Sequence, residues 1–594
     1  MKSISKYILA ALPVVMGLTA CNDSYLERFP ETSITEQVFF SNVGDLESYT
    51  NGMYGTLGYG MNDGVSDNYM GLNDEGMHRL MRGEVFPETQ GTWGWSSIRS
   101  VNFLLNRTGR VNGDAAEIAH YVGLARMIRA KLYYDKVKTY SDVPWYSKDL
   151  QTTDTEDLYK TQDPRALVVD SIMADLDFAV KNMKDGTSKT RYLRPTALAL
   201  QARIALHEGT FRKYHKELGL DDGDRFLTIA MNAAGELMSL GRYELSYESY
   251  NGLGAYQSIF CNDNLTSNPE MILVEDCDKE LGHTNYAASA SAYHGLTRDL
   301  MEDYLVIENG KTKTFQSVPG YQTKTFENFF ENRDPRLVQT FATPGWVRAN
   351  GNTPYRISLN NCGYQQIKFD PQKYDQFGWG LCYTDVPIFR YPEILLIYAE
   401  AKAELGTLTQ EDVDNTINLI RKRAGMPDAS LSEWLSNIDP VQANRYNNVD
   451  SQQKGAVLEI RRERRIELAC EGFRYDDLMR WCLGQLFAKN LDGIYIPGPG
   501  MYDVTGDGEP DIAVIPDDSY SGMVSDEDRE RYKLTVYTLS GNTMALTEGD
   551  HGYVYLVNQH NKFTFEEPKY YYSPVAVDDI TLNPNLVQNK FWAK

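Results

Sequence analysis

The stretch Glu459-Ile460-Arg461-Arg462-Glu463-Arg464-Arg465-Ile466-Glu467, running on through Leu468-Ala469 to Glu471-Gly472-Phe473-Arg474-Tyr475-Asp476-Asp477-Leu478-Met479-Arg480-Trp481, decides how this chain is read. It looks basic, but at about 3.6 residues per turn Glu459 falls near Arg462, and Arg464 near Glu467. A self-paired structural helix over 453–469 accounts for these charges better than a phosphate-binding strip. Outward from it the same period recurs, predicting amphipathic helices near 43–57, 93–107, 115–140, 164–183, 195–207, 224–240, 391–405 and 409–424.

Several of these helices come in pairs. Pro195 pre-sets the backbone of a first turn while Leu198, Ala202 and Leu206 share a face, and a polar loop then leads to Asp224. Ile394, Tyr398, Ala401 and Leu405 line another face, Gly406 stops that helix, and Thr409 with Asp412 three residues on forms a weakened capping box. The pairs resemble tetratricopeptide units without a strict 34-residue period. Over 251–385, and again from 486 or so to the end, Gly, Asn, Pro and aromatic residues replace the helical period, with short strand-like runs such as 552–557. The predicted fold is mainly α: a tetratricopeptide-like helix-pair scaffold over 43–250 and 386–485, carrying a large irregular, loop-rich cap over 251–385 and 486–594, all one domain.

The chain has 594 residues, 42% of them hydrophobic, with 59 Lys and Arg against 82 Asp and Glu, a net charge of −23. That composition is globular, and the acidic balance opposes nucleic acid and anionic lipid. Tyrosine (40) outnumbers phenylalanine (22), and a ring with a hydroxyl suits half-wet surfaces. Lys2 and Lys6 precede an apolar run, 7–18, too short to span a membrane. Leu18-Thr19-Ala20-Cys21 then matches a bacterial lipoprotein signal, so residues 1–20 are expected to be removed and Cys21 to carry lipid. Several acyl chains there would anchor the protein firmly to a membrane that it does not span. The remaining six cysteines show no C-x-x-C pair; one or two disulfides and buried free thiols are both open.

Catalytic signatures are missing: no H-E-x-x-H, G-x-S-x-G, Walker A or helix-opening G-x-G-x-x-G occurs, and the eight histidines have no ligand spacing. One metal pattern stands out, Asp503-Val504-Thr505-Gly506-Asp507-Gly508-Glu509-Pro510-Asp511. Oxygens from Asp503, Thr505, Asp507 and Asp511 around glycine turns could hold a structural calcium ion, though no Glu occupies the twelfth position; an ion-free acidic turn is the alternative. No other cofactor is expected.

The 461–481 stretch resembles the signature helix-turn-helix of the SusD/RagB family, surface lipoproteins of Bacteroidetes nutrient-uptake systems. Further similar pieces follow in that family's order. They are residues 123–140 leading into Ser141-Asp142-Val143-Pro144, Asn332-Arg333-Asp334-Pro335-Arg336-Leu337, Gly363-Tyr364 through Lys368-Phe369, and Asp385 to Glu393 with Pro392 in place of the usual Ala. The last is Asn583-Pro584-Asn585-Leu586-Val587-Gln588-Asn589. The resemblance implies a surface-exposed outer-membrane lipoprotein sitting as a lid on a SusC-like TonB-dependent transporter. It also implies glycan capture without catalysis, with the signature residues structural and the ligand held by variable loops.

Sugars present apolar C–H faces ringed by hydroxyls, so a binder needs flat aromatic platforms beside polar side chains. Asn73-Asp74-Glu75 through Arg82 to Trp93-Gly94-Trp95 supplies both, and its position resembles the place where the family sets an acid, an arginine and a tryptophan on the ligand. Trp93 or Trp95 is expected as platform, Asp74 and Arg82 as hydroxyl partners, and Tyr293, Tyr321 and Trp346 as the rest of an aromatic arc. Each of these rings could instead be core. The rival functions are a RagB-like peptide-binding lid and, further off, a surface glycoside hydrolase.

Overall fold

Helices form where the apolar period meets a capping or stopping residue. In this computed structural model, which describes residues 39–71, 76–289, 294–517, 522–541 and 543–593, the principal helices are α1 Val43–Asn51, α2 Ser96–Leu105, α3 Ala115–Tyr140, α4 Arg165–Asn182, α5 Arg194–Tyr214 and α6 Gly223–Ser239. They continue with α7 Arg298–Asp303, α8 Tyr391–Glu404, α9 Ile417–Ala424, α10 Lys454–Glu467 and α11 Arg474–Arg480. Cys21, Asp74 and Tyr293 lie outside the described residues.

Asp114 caps α3 by accepting from the Ala116 and Glu117 N–H groups, and Pro195 stands in the first turn of α5. Thr409 and Asp412 form a full capping box. The single helix expected over 409–424 is two, Gln410–Asp414 and α9, because the Thr416 hydroxyl bonds back to the Asp412 carbonyl and its backbone leaves the helical region (ψ −83°). Consecutive helices stack: α3 on α4, α5 on α6, α6 on α8, and α8 on α10. The mainly α scaffold read from the sequence is what the structure contains.

Two large cores follow. The first draws on α1–α6, α8–α11 and the tail residues Phe565, Tyr571, Tyr572 and Trp592, so the chain's end returns from the cap to the scaffold. The second holds the cap together through Tyr256, Phe260, Leu300, Tyr304, Phe329 and Tyr364. Short strands brace it. Tyr69–Gly71 pairs antiparallel with His294–Leu296, and Met271–Glu275 pairs antiparallel with Val386–Arg390, which leads straight into α8. A three-stranded sheet orders Thr535–Thr538, Ile512–Ile515 and Gly500–Tyr502, and another orders Met544–Leu546, Gly552–Leu556 and Tyr495–Ile496. Among the described residues no helix is long and apolar enough to cross a membrane.

Helix α10 is the joint between the cores, and its charges face inward on every side. Arg461 bonds Glu404 (3.1 Å), Arg462 bonds Glu459 (2.7 Å), and Glu463 receives Arg336 (2.6 Å) and Arg421 (3.1 Å). Arg465 reaches Asp303 on α7 (2.5 Å), Asp299 (2.9 Å) and Asp67 (3.1 Å). The Glu459–Arg462 pair is the expected one. Arg464 departs from expectation: it pairs with Asp477 on α11 (2.8 Å), while Glu467 takes Arg390 (2.7 Å), Arg336 (3.0 Å) and Arg423. Buried guanidiniums need partners in three dimensions, and a helix supplies only its own neighbours. The cysteine question closes as thiols: Cys261, Cys277, Cys362, Cys382 and Cys470 are buried and Cys482 half-buried, all free.

Candidate functional site

Helix α2 begins beside two tryptophans and thereby fixes both. The Trp93 backbone N–H donates to the Asp579 carboxylate (3.0 Å), and its ring packs on Tyr140 (5.0 Å) and edge-on to Trp95 (5.7 Å). At 7% exposure Trp93 is a core residue, with its indole N–H buried and unbonded. Trp95 is half-buried, edge-on to Tyr146 (5.2 Å), with the Lys136 ammonium 4.4 Å from its ring centre. Burial pulls the Lys136 ammonium below its ordinary pKa against the raising effect of Asp579.

Both rings line a cavity of about 420 Å³ whose other walls include Pro144, Leu158 and Leu586. Its polar lining is mostly committed. Asn102 donates to the Tyr146 carbonyl (2.8 Å) and accepts from Arg129 (2.9 Å), and Asn583 donates to the Lys160 carbonyl (2.8 Å). Arg99 differs. It lines the cavity, one turn along α2 from Trp95, is exposed, and has no side-chain partner among the described residues. The arrangement offers one ring and one planar five-donor cation to a ligand in a mostly apolar pocket. Arg99 escaped the sequence reading, although its i+4 spacing from Trp95 was the available signal. Asn583 and Asp579 gave no local signal, since they reach the pocket from the far end of the chain.

Of the other predicted ligand-binding residues that are described, Arg82, Tyr321 and Trp346 do not line this pocket. Arg82 closes on Glu84 (2.7 Å), two residues along its own chain. Tyr321 leans on Phe315 (5.8 Å) at the edge of the cap core, and Trp346 sits edge-on to Tyr355 (5.6 Å). Neither lines the Trp93–Trp95 cavity. Tyr321 and Trp346 each belong to ring clusters of the cap, apart from the Trp93–Trp95 cavity.

Nor does the acidic loop gather calcium ligands. The Asp503 carboxylate accepts from the N–H groups of Thr505, Gly506 and Gly508, and Asp511 accepts from Val504 and Thr505 while pairing with Arg356 (3.0 Å). Asp507 accepts from the Glu509 N–H at the surface. Among the described residues no three His, Cys, Asp or Glu side chains are placed to hold a metal. The Asp503 and Asp511 carboxylates instead close the loop through its own backbone N–H groups and Arg356.

Comparison with known proteins agrees with this architecture. A family model described as the SusD family matches residues 243–592. "SusD-like protein P38" of Formosa agariphila is 24% identical over 513 residues, covering 80% of this chain and 91% of that protein. A SusD-like protein of Bacteroides fragilis shares the fold with a TM-score of 0.63 at 20% identity, covering 95% of this chain and all of that one. A laminarin-binding SusD-like protein does so with a TM-score of 0.52 at 16% identity, covering 93% and 100%. The helix-pair scaffold, the inward-facing charges of α10 and the match over 243–592 together place this chain in the SusD family.

Proposed function

We propose that this protein is a glycan-capturing surface lipoprotein, lipidated at Cys21 in the outer membrane, which binds an oligosaccharide or polysaccharide without turning it over and hands it to a SusC-like TonB-dependent transporter. One observation carries the binding half of this reading: the pocket where the half-exposed Trp95 ring and the uncommitted Arg99 guanidinium face the same 420 Å³ space. A ring face stacks on a pyranose, and a guanidinium donates to adjacent hydroxyls in bidentate fashion. Membership of a family with a laminarin-binding neighbour supports a sugar as occupant. The absence of any recognised catalytic signature in the sequence supports binding without chemistry.

The pocket also separates platform from core. Trp95→Ala and Arg99→Ala should each weaken glycan binding, Trp95→Ala by about 1–3 kcal/mol by analogy with stacked bases, with little change in melting temperature. Trp93→Ala should instead cost roughly 3–5 kcal/mol of folding stability. Calorimetric titration beside thermal melts checks both. Unchanged affinity in Trp95→Ala and Arg99→Ala would remove the pocket as the binding site.

A further inference from the structure

A second cavity, of about 410 Å³, opens where α3, α5, α8, α10 and α11 meet, and it shares no wall with the Trp95 pocket. Leu206, Ile388, Ile397 and Phe473 form apolar walls. Much of the rest is charged, and what those groups are already bonded to decides what the cavity can hold. Lys131 donates to Asp135 (2.6 Å), Lys138 to Asp476 (2.7 Å), Arg203 to Glu393 (2.6 Å) and Arg390 to Glu471 (2.6 Å). Arg480 is held by Glu400 (2.6 Å) and by Asp477 (2.9 Å).

Arg464 is the exception. Its Nε–H donates to Asp477 (2.8 Å), a carboxylate already shared with Arg480, and neither terminal nitrogen has a hydrogen-bond partner among the described residues. The Phe473 ring, centred 5.3 Å from its Cζ, offers a π face but no lone pair. A guanidinium carries five N–H donors, so four stay unused on a side chain that is 4% exposed. Buried donors without acceptors are costly, and native structures hold few of them. His207, 7% exposed, lines the same cavity with its Nε2 unbonded. The Tyr134 hydroxyl stands 2.7 Å from the His207 Nδ1 and 3.3 Å from Glu208, and the shorter contact points the phenolic proton at Nδ1. Burial, and then the charges of Lys138, Arg480 and Arg165, hold the imidazole well below its ordinary pKa. The ring is therefore neutral, and its one proton sits on Nε2 as a second orphan donor.

Two donors of different kinds on one cavity call for an acceptor that the chain does not supply. The four carboxylates of the lining, Glu393, Glu471, Asp476 and Asp477, each accept from a cation, so none stands unpaired to repel an incoming anion. We propose that this cavity is a binding site for a small organic carboxylate, whose oxygens take the terminal N–H groups of Arg464 as a bidentate pair and the Nε2–H of His207, while its carbon body lies against Leu206, Ile388 and Ile397. Arg464 belongs to α10, the joint between the two cores, and His207 to α5. A ligand bridging them would stabilise the folded chain by mass action.

The site is independent of glycan capture, and its test leaves that reading untouched. The full mature chain is titrated calorimetrically with acetate, succinate, inorganic phosphate and uncharged 1,4-butanediol at constant ionic strength, beside thermal melts. The same titrations are run on Arg464→Lys, which keeps a charge toward Asp477 but removes the fork, and on His207→Phe, which keeps a ring against Tyr134 and Phe211. Succinate should bind saturably and raise the melting temperature, the diol should give no heat, and each variant should bind succinate at least tenfold more weakly, while Trp95→Ala binds it as the wild type does. A wild-type crystal grown with succinate needs no variant to fold and should carry the carboxylate beside Arg464. No saturable heat with either carboxylate, unchanged succinate affinity in both variants, succinate bound elsewhere in the crystal, or tighter binding of phosphate than of succinate would overturn the proposal.

Discussion

Glu467 is one carboxylate set among three guanidiniums, those of Arg336, Arg390 and Arg423. Burial alone would raise its pKa, but the three cations hold it well below the usual carboxylate range. Glu467→Gln leaves those buried cations short of charge and should destabilise the fold by roughly 3–5 kcal/mol in urea unfolding. Glu208 behaves alike: burial opposes ionisation, yet Arg165 and Arg212 bring its pKa from 4.5 to about 2. A depressed carboxylate contributes stability that is full above its unfolded pKa and lost as pH falls through the folded one. Glu208 should therefore contribute on the order of 3 kcal/mol that disappears between about pH 4.5 and 2. Unfolding measured across that window should show a shallower slope in Glu208→Gln than in the wild type. At this scale the sequence was half legible. Glu459–Arg462 could be paired because both lie on one helix, whereas Arg464–Asp477 and the partners of Glu467 depend on elements that meet only after folding. The same limit hid Asp579 and Asn583 from the pocket, while Arg99 was within reach of a helical-spacing argument.

Elements were the most readable level, because caps and stops are local chemistry. Helix α3 starts at its Asp114 cap and runs the 26 residues its pattern predicted. Helix α5 runs to Tyr214, beyond the expected 195–207, since Glu208 and Arg212 pair within its last turns and the His215 Nε2–H donates to the Met479 carbonyl (2.7 Å). The Glu208–Arg212 pair is a local i, i+4 signal for that extension, whereas the Met479 contact has none in the sequence. Where α5 meets α6 the backbones touch through glycines: a Cβ on Gly209 would lie 2.8 Å from the Leu227 nitrogen, and one on Gly223 2.7 Å from the Gly209 carbonyl oxygen. Neither neighbour is a flexible side-chain end. Gly209→Ala should consequently force the helices apart and cost about 1–3 kcal/mol, read as a lowered melting temperature with helical content retained in circular dichroism.

In the whole molecule, the arginines of the signature helix are buried against acids drawn from both cores, so the net charge of −23 is carried largely by the remaining surface. The signature is thus a structural joint, and the glycan recognition proposed above falls to rings outside it. That division explains why family and fold could be read from the sequence, while the Trp93–Trp95 pair could be named but not divided into a core ring and a half-exposed one. A buried ionic joint tolerates few alternatives and leaves a long motif, but a stacking platform needs only exposed aromatics, which single residues such as Trp346 and Trp379 do not distinguish by type. Exposure distinguishes them, and exposure is set by the packing of distant loops. The central claim is capture of a glycan without chemistry. Its most direct test is calorimetric titration of the purified mature chain with neutral oligosaccharides, laminarin-derived ones included, with the sugar analysed afterwards. Saturable binding that weakens in Trp95→Ala, with every oligosaccharide recovered intact, is the predicted result; no heat with any glycan alongside saturable binding of peptides, or recovery of cleaved sugar, would contradict it.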